Sequence, residues 1–216
     1  MLEYEYPDLK PLTVGASFSQ VIQTLHAAHL LRYSTQEHLK TLGSWKIATK
    51  KKLQTLADLG YLVKNEQVFT STRKTLDLLI KQGYKRELLP PHAEGRGAEI
   101  YNSDALVKII RHPFYKQLLY PHFEYVIPDG LLILQDGDRY QLNFIEVEVR
   151  KPKWAEYLED KRQKYERLAR DEQVFRYWAI IAPFVGLKCP RINDFKFQVV
   201  CVGDVHFEWE GWRFIK

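Results

Sequence analysis

Two cysteines, Cys189 and Cys201, are all that the 216 residues contain. They form no CxxC pair and have no histidine at zinc-ligand spacing, so no structural zinc site is expected and both read as buried thiols. Long apolar runs are missing as well. None approaches the roughly 20 residues that a membrane-spanning helix needs, so no membrane partner is expected. The first residues, Met1-Leu2-Glu3-Tyr4-Glu5-Tyr6-Pro7, carry acids where a signal peptide has basic and apolar regions, and cytoplasmic residence is the expectation. There is no internal repeat and no low-complexity segment. The seven histidines are scattered. His26, His29 and His38 fall on helical stretches as packed or surface imidazoles, and none is a catalytic candidate.

What is present is an ordinary folded composition, 45% hydrophobic and 13% aromatic, in a chain long enough for two cores. Charge is unevenly placed. Residues 1–90 hold 13 Lys and Arg against 8 Asp and Glu, and the remainder is balanced, so the whole net charge of +5 lies in the first segment. A basic domain beside a neutral one points to a polyanionic partner for the first.

Apolar spacing predicts a helix over 17–31 through Val21, Ile22, Leu25, Ala28 and Leu31. Ser34-Thr35-Gln36-Glu37 reads as a capping box opening a second helix that ends near Gly43. Ser44 is placed to cap a third, running to about Leu59, with Gly60 beyond its end. Tyr61 to Lys64 and Gln67 to Thr70 then form a small hairpin, and 71–82 another helix. Three helices and a hairpin read as an N-terminal winged helix-turn-helix over 1–90. In such a motif the second helix enters the major groove of double-stranded DNA, which makes Trp45, Lys46, Thr49, Lys50 and Lys51, followed by Lys52, the candidate DNA-binding residues. The same lysines also read as a solvated run, and the fold alone does not prove DNA binding. Pro90, Pro91, Gly95 and Gly97 mark a linker, and a second domain is placed at 98–216.

In that domain a helix is expected from Asn102, capped by Ser103 and interrupted at His112-Pro113. Strands are expected at about 122–127, 131–135 and 139–149. A helix with Trp154, Tyr157, Leu158, Lys161, Tyr165 and Leu168 on one face follows. Strands at 174–182 and 195–202 come next, and a closing hairpin at 206–215 is turned at Glu210-Gly211. This order is α/β in its second half and α+β overall, with a mixed sheet.

Pro128-Asp129-Gly130 opens one strand of a hairpin turned at Asp136-Gly137, and the partner strand ends Glu146-Val147-Glu148. Antiparallel pairing sets Asp129 roughly level with the two glutamates, which share one face of their strand. Three carboxylates at one sheet end suit a hard cation such as Mg²⁺ or Mn²⁺, which takes oxygen ligands and leaves room for a phosphate. The plain alternative is an exposed acidic strand end, with Glu146 and Glu148 outward and Ile145, Val147 and Val149 inward.

Residues 100–205, with Pro128-Asp129 on one strand and an acidic pair ending the next, resemble the PD-(D/E)xK nuclease superfamily, whose fold is restriction-endonuclease-like. The resemblance implies that Asp129 and Glu146 bind metal and that a lysine positions or activates the attacking water. Glu148 stands where that lysine is expected. Lys161, on the sheet-facing side of its helix, is the candidate to replace it, with Lys151 and Lys164 behind it. Glu99 or Asp104 is the counterpart of an acid on the superfamily's first helix. Together with Leu53 to Leu62 and Lys161-xxx-Tyr165, the two-domain pattern is similar to the replication-relaxation family of plasmids and mobile elements. That resemblance implies a DNA-binding protein acting in replication or transfer, with Asp129, Glu146, Glu148 and Lys161 as catalytic residues. It also implies Mg or Mn as cofactor, and a homodimer or a second mobile-element protein as further partner. Two other readings stand beside it. One is a non-catalytic DNA binder with a degenerate nuclease fold; the other is a protein-interaction module whose aromatic C-terminus, with Trp209, Trp212 and Phe214, forms an interface.

Overall fold

The computed structural model describes residues 6–90, 100–149, 152–188, 190, 195–202 and 207–212. The chain is α+β, with helices and two sheets. It divides into two compact units, Met1–Val107 and Lys108–Lys216. The expected linker at 91–97 and Cys189 lie outside the described residues. Among the described residues no helix is long and apolar enough to cross a membrane.

In the first unit a 3-10 helix, Pro7–Thr13, precedes α1, Phe18–Leu31. Ser17 and Gln20 cap α1 reciprocally, satisfying two backbone donors at its start. Helix α2, Gln36–Leu42, is also boxed, but one residue later than the sequence suggested: Thr35 caps it and His38 reaches back. Ser34 is diverted because it belongs to β1, Ser34–Thr35, where its hydroxyl donates to the Phe69 carbonyl at 3.0 Å. Helix α3, Lys50–Asp58, also starts later than expected, with Thr49 as cap in place of Ser44. The amide of Ser44 is drawn to Thr24 Oγ1 at 3.1 Å, and residues 44–48 form a tight turn instead.

Strands β2, Leu62–Asn65, and β3, Val68–Ser71, form a hairpin, and β1 pairs with β3 to give the antiparallel order β1-β3-β2. Helix α4, Arg73–Lys81, is capped by Thr72. Leu9, Leu12, Val21, Leu25, Leu39, Ile47, Leu53, Leu56 and Leu79 make the core. His29, buried among them, is satisfied on both nitrogens by Ser71 Oγ at 2.8 Å and the Pro90 carbonyl at 3.1 Å. This is the packed imidazole that an apolar helix predicts.

Helix α5, Ile100–Ile110, contains Ser103 within it, not at its cap; the Ser103 hydroxyl donates to the Tyr33 carbonyl instead. The second sheet has the order β4-β5-β6-β7-β8. Its strands are β4, Tyr115–Leu119; β5, Gly130–Asp136; β6, Arg139–Val149; β7, Phe195–Val202; and β8, Phe207–Trp212. Only β6 and β7 run parallel, so the sheet is mixed. Their crossover carries α6, Trp154–Leu168, and α7, Glu172–Val185, as a parallel connection requires.

Two expected strands and one expected turn differ in the structure. Residues 122–127 are irregular, and β4 lies earlier in the chain; Phe123 is used for packing, edge-on to Phe144 at 6.2 Å. Residues 174–182 are helical, because Asp171 caps α7 through the Gln173 amide and Val174, Trp178, Ile181, Ala182 and Val185 bury one face. The C-terminal segment does not turn at Glu210-Gly211: β8 runs straight through both, pairing Val199 with Glu210 and Gln198 with Gly211.

Candidate functional site at the end of β5 and β6

The β5–β6 register pairs Gly130 with Ile145, which sets Asp129 against Glu146. Asp129 is half-buried, and its Oδ2 accepts the Val147 amide at 2.8 Å. The carboxylate at the mouth of one strand is thereby tied to the backbone of the next.

Glu146 does not face solvent, as the alternation of β6 suggested. It is 5% exposed. Both faces of β6 are covered from Leu142 to Val147, and α6 lies over the one that carries Phe144 and Glu146. The Tyr165 ring packs on Phe144 at 5.2 Å between centroids, and its hydroxyl donates to Glu146 Oε1. The Lys161 ammonium lies 2.7 Å from Glu146 Oε2 and 5.7 Å from the Tyr157 ring centroid. Helical spacing explains the convergence. Tyr157, Lys161 and Tyr165 are successive i, i+4 positions on one stripe of α6, and the buried Leu158 and Leu168 hold that side on the sheet.

Of the residues expected to act here, the structure therefore brings together Asp129, Glu146 and Lys161. Glu148 lies two residues on in β6, paired through its backbone with Cys201; its side chain is outside the described residues, as are Lys151 and Glu99. Lys164 is on the outer side of α6, paired with Asp160 at 2.7 Å. Asp104 is held by His38 Nε2 at 2.5 Å in the first unit. Tyr165 was not among the expected site residues, although its i, i+4 relation to Lys161 was a signal that could have found it.

Asp129 and Glu146 offer hard oxygen donors from adjacent strands, the type and number that Mg²⁺ or Mn²⁺ takes alongside water and phosphate. Among the described residues no group of three or more His, Cys, Asp or Glu is placed to hold a metal ion. To reach an ion, Glu146 would have to exchange its contact with Tyr165 or Lys161, since both of its oxygens are engaged in a buried position.

A second cluster lies in the first unit. Trp45 and Lys46 sit on the turn ahead of α3, both exposed, with the Lys46 ammonium 5.8 Å from the Trp45 ring centroid. Thr49 caps α3, accepting the Lys52 amide at 3.3 Å. Lys50 and Lys51 point to solvent, whereas Lys52 turns back to donate to the Leu12 and Val14 carbonyls at 2.8 and 2.9 Å. Between the start of α3 and the β2–β3 hairpin is a cleft of about 450 Å³ that includes Gln36, Lys50, Lys64 and Phe69.

Compared with protein-family models, with curated proteins and with solved structures, the chain matches none.

Proposed function

We propose that the chain is a double-stranded-DNA-binding protein of a plasmid or other mobile element, acting in replication or transfer. In this reading a winged helix-turn-helix over 1–90 delivers DNA to a PD-(D/E)xK-type nuclease domain over 98–216. The order α1, β1, α2, α3, β2, β3 and the exposed Lys50 and Lys51 at the start of α3 support the first half. The observation that carries the second is the placing of the Lys161 ammonium on Glu146. It supplies from α6 the cation that Glu148 displaces from β6.

Asp129 and Glu146 would hold Mg²⁺ or Mn²⁺, which when bound lowers the pKa of water and stabilises the leaving oxygen of a phosphodiester. Asp129 is kept in orientation by the Val147 amide, and Glu146 by Tyr165. Lys161 offsets the carboxylate charge where an anionic phosphate must approach, and its ammonium can donate to the attacking water. The test is cleavage of supercoiled and branched DNA with Mg²⁺ or Mn²⁺. Asp129→Ala should abolish it, and cleavage that persists in that variant removes the assignment.

One observation favours the alternative of a non-catalytic binder. Both Glu146 oxygens are engaged, by Tyr165 and by Lys161, in a buried position. That reading expects DNA binding that is lost on Lys50→Glu with Lys51→Glu, and no heat of Mn²⁺ binding that depends on Asp129.

A further inference from the structure

The turn between α2 and α3 holds a large aromatic side chain out in solvent on a rigid base. Trp45 is 70% exposed, while Ile47 and Ala48 beside it are fully buried. The Ile47 and Ala48 amides donate to the Ser44 carbonyl at 3.0 and 2.8 Å, and Gln36 Nε2 donates to the Ala48 carbonyl at 2.8 Å. On the other side of Ser44, Gly43 lies so close to α1 that a Cβ there would fall 2.8 Å from Thr24 Cα. A turn fixed at both ends cannot swing to cover the indole. Its surroundings are cationic and polar: Lys46 lies 5.8 Å from its ring centroid, and Thr49, Lys50 and Lys51 are exposed on the following residues.

An exposed indole with one ammonium group near its ring, and two more on exposed residues five and six positions along the chain, is the chemistry that stacks a nucleobase and holds the adjoining phosphates. A lipid surface is a poorer fit, because interfacial elements set several apolar side chains on one face, and here the other exposed residues of the same stretch of chain are Lys46, Thr49, Lys50 and Lys51. Paired bases in a duplex hide their faces in the stack, and wedging an indole between them costs unstacking energy, so a base released from pairing meets the ring at the lowest cost.

We infer that Trp45 stacks on an unpaired base, and that the preferred DNA is duplex adjoining a short single-stranded gap. This rests on the DNA-binding reading above and names the form of DNA it takes. The test is fluorescence anisotropy with the full chain on three probes: an intact duplex, the same duplex with a central gap of unpaired thymines, and that gap made abasic. The gapped probe should bind roughly tenfold tighter than the other two, the scale of one base–aromatic stack. Trp45→Ala should collapse that ratio to one and Trp45→Phe should restore part of it, with thermal unfolding unchanged in both.

Equal binding of gapped and intact probes overturns the inference, as does a preference that survives Trp45→Ala. Binding to phosphatidylserine vesicles that depends on Trp45, with no difference among the DNA probes, also overturns it and assigns the indole to a lipid surface. Binding of intact duplex that is lost on Lys50→Glu with Lys51→Glu, but shows no gap preference, sinks the inference alone. Binding of none of the probes sinks the DNA-binding reading with it.

Discussion

Lys161 Nζ and Glu146 Oε2 lie 2.7 Å apart, and the two partners are unequally covered, with 21% of the lysine side chain exposed against 6% of the glutamate. A long amphipathic side chain near the surface can swing its charge into water when its partner is lost. A carboxylate on the covered face of a central strand cannot. Lys161→Met should therefore cost about 3 kcal/mol in urea unfolding, as expected for stranding a buried charge, and Glu146→Gln only about 1 kcal/mol. Equal costs would mean that Glu146 reaches water when the lysine is removed.

Tyr165 contributes through two separable parts, the ring on Phe144 and the hydroxyl on Glu146. Tyr165→Phe keeps the first and removes the second. A hydrogen bond to a charged group is worth about 2 kcal/mol, so the variant should lose roughly that much stability. The loss should shrink when Glu146→Gln is already present, because the two side chains share one bond and their effects do not add. A double-mutant cycle by urea unfolding measures the coupling, and strict additivity would show that the hydroxyl does not act through Glu146.

Adjacent lysines at the start of α3 should behave oppositely. Lys50 and Lys51 are exposed, so replacing either with alanine should leave the melting temperature in place and lower the salt dependence of DNA binding by about one phosphate contact each. Lys52 donates to the carbonyls of Leu12 and Val14, which ties α3 to the chain ahead of α1. Lys52→Ala should cost about 1–2 kcal/mol of stability and leave the salt slope alone. Melting curves and a salt titration on the same three variants separate the two roles.

These contrasts also show where the sequence was readable. The stripe of Tyr157, Lys161 and Tyr165 announces a helix face, and the Asp136-Gly137 turn sets a hairpin register that puts Asp129 beside Glu146. Those signals are local and periodic. The burial of Glu146 was not legible, because alternation along β6 reveals which residues share a face but not that both faces are covered. Helix α7 was misread for a related reason. Its exposed Ile180 puts an apolar residue on the outer side of the helix, so Val174 to Ala182, broken only by Arg176, looks like an apolar strand. The cap at Asp171 and the Glu172–Arg176 pair, at helical spacing, were the signals against it. The shifted start of α3 depended on a bond from Ser44 to Thr24, twenty residues away in sequence, which no local pattern contains.

Burial against Tyr84, whose ring centroid lies 4.5 Å away, pushes His26 down from 6.5 to about 4. The unfolded chain then binds a proton that the folded one refuses throughout that interval, so folding stability rises with pH across it. The contribution is fully present above about pH 6.5 and is lost as the pH falls toward 4. The change across the interval is on the order of 3 kcal/mol for one group. His26→Phe removes the proton and keeps an aromatic ring against Tyr84. Urea unfolding at intervals between pH 7 and pH 4 should show the variant losing less stability over this window than the natural chain, with the two nearly equal at pH 7. A parallel decline in both would place the acid sensitivity on other groups.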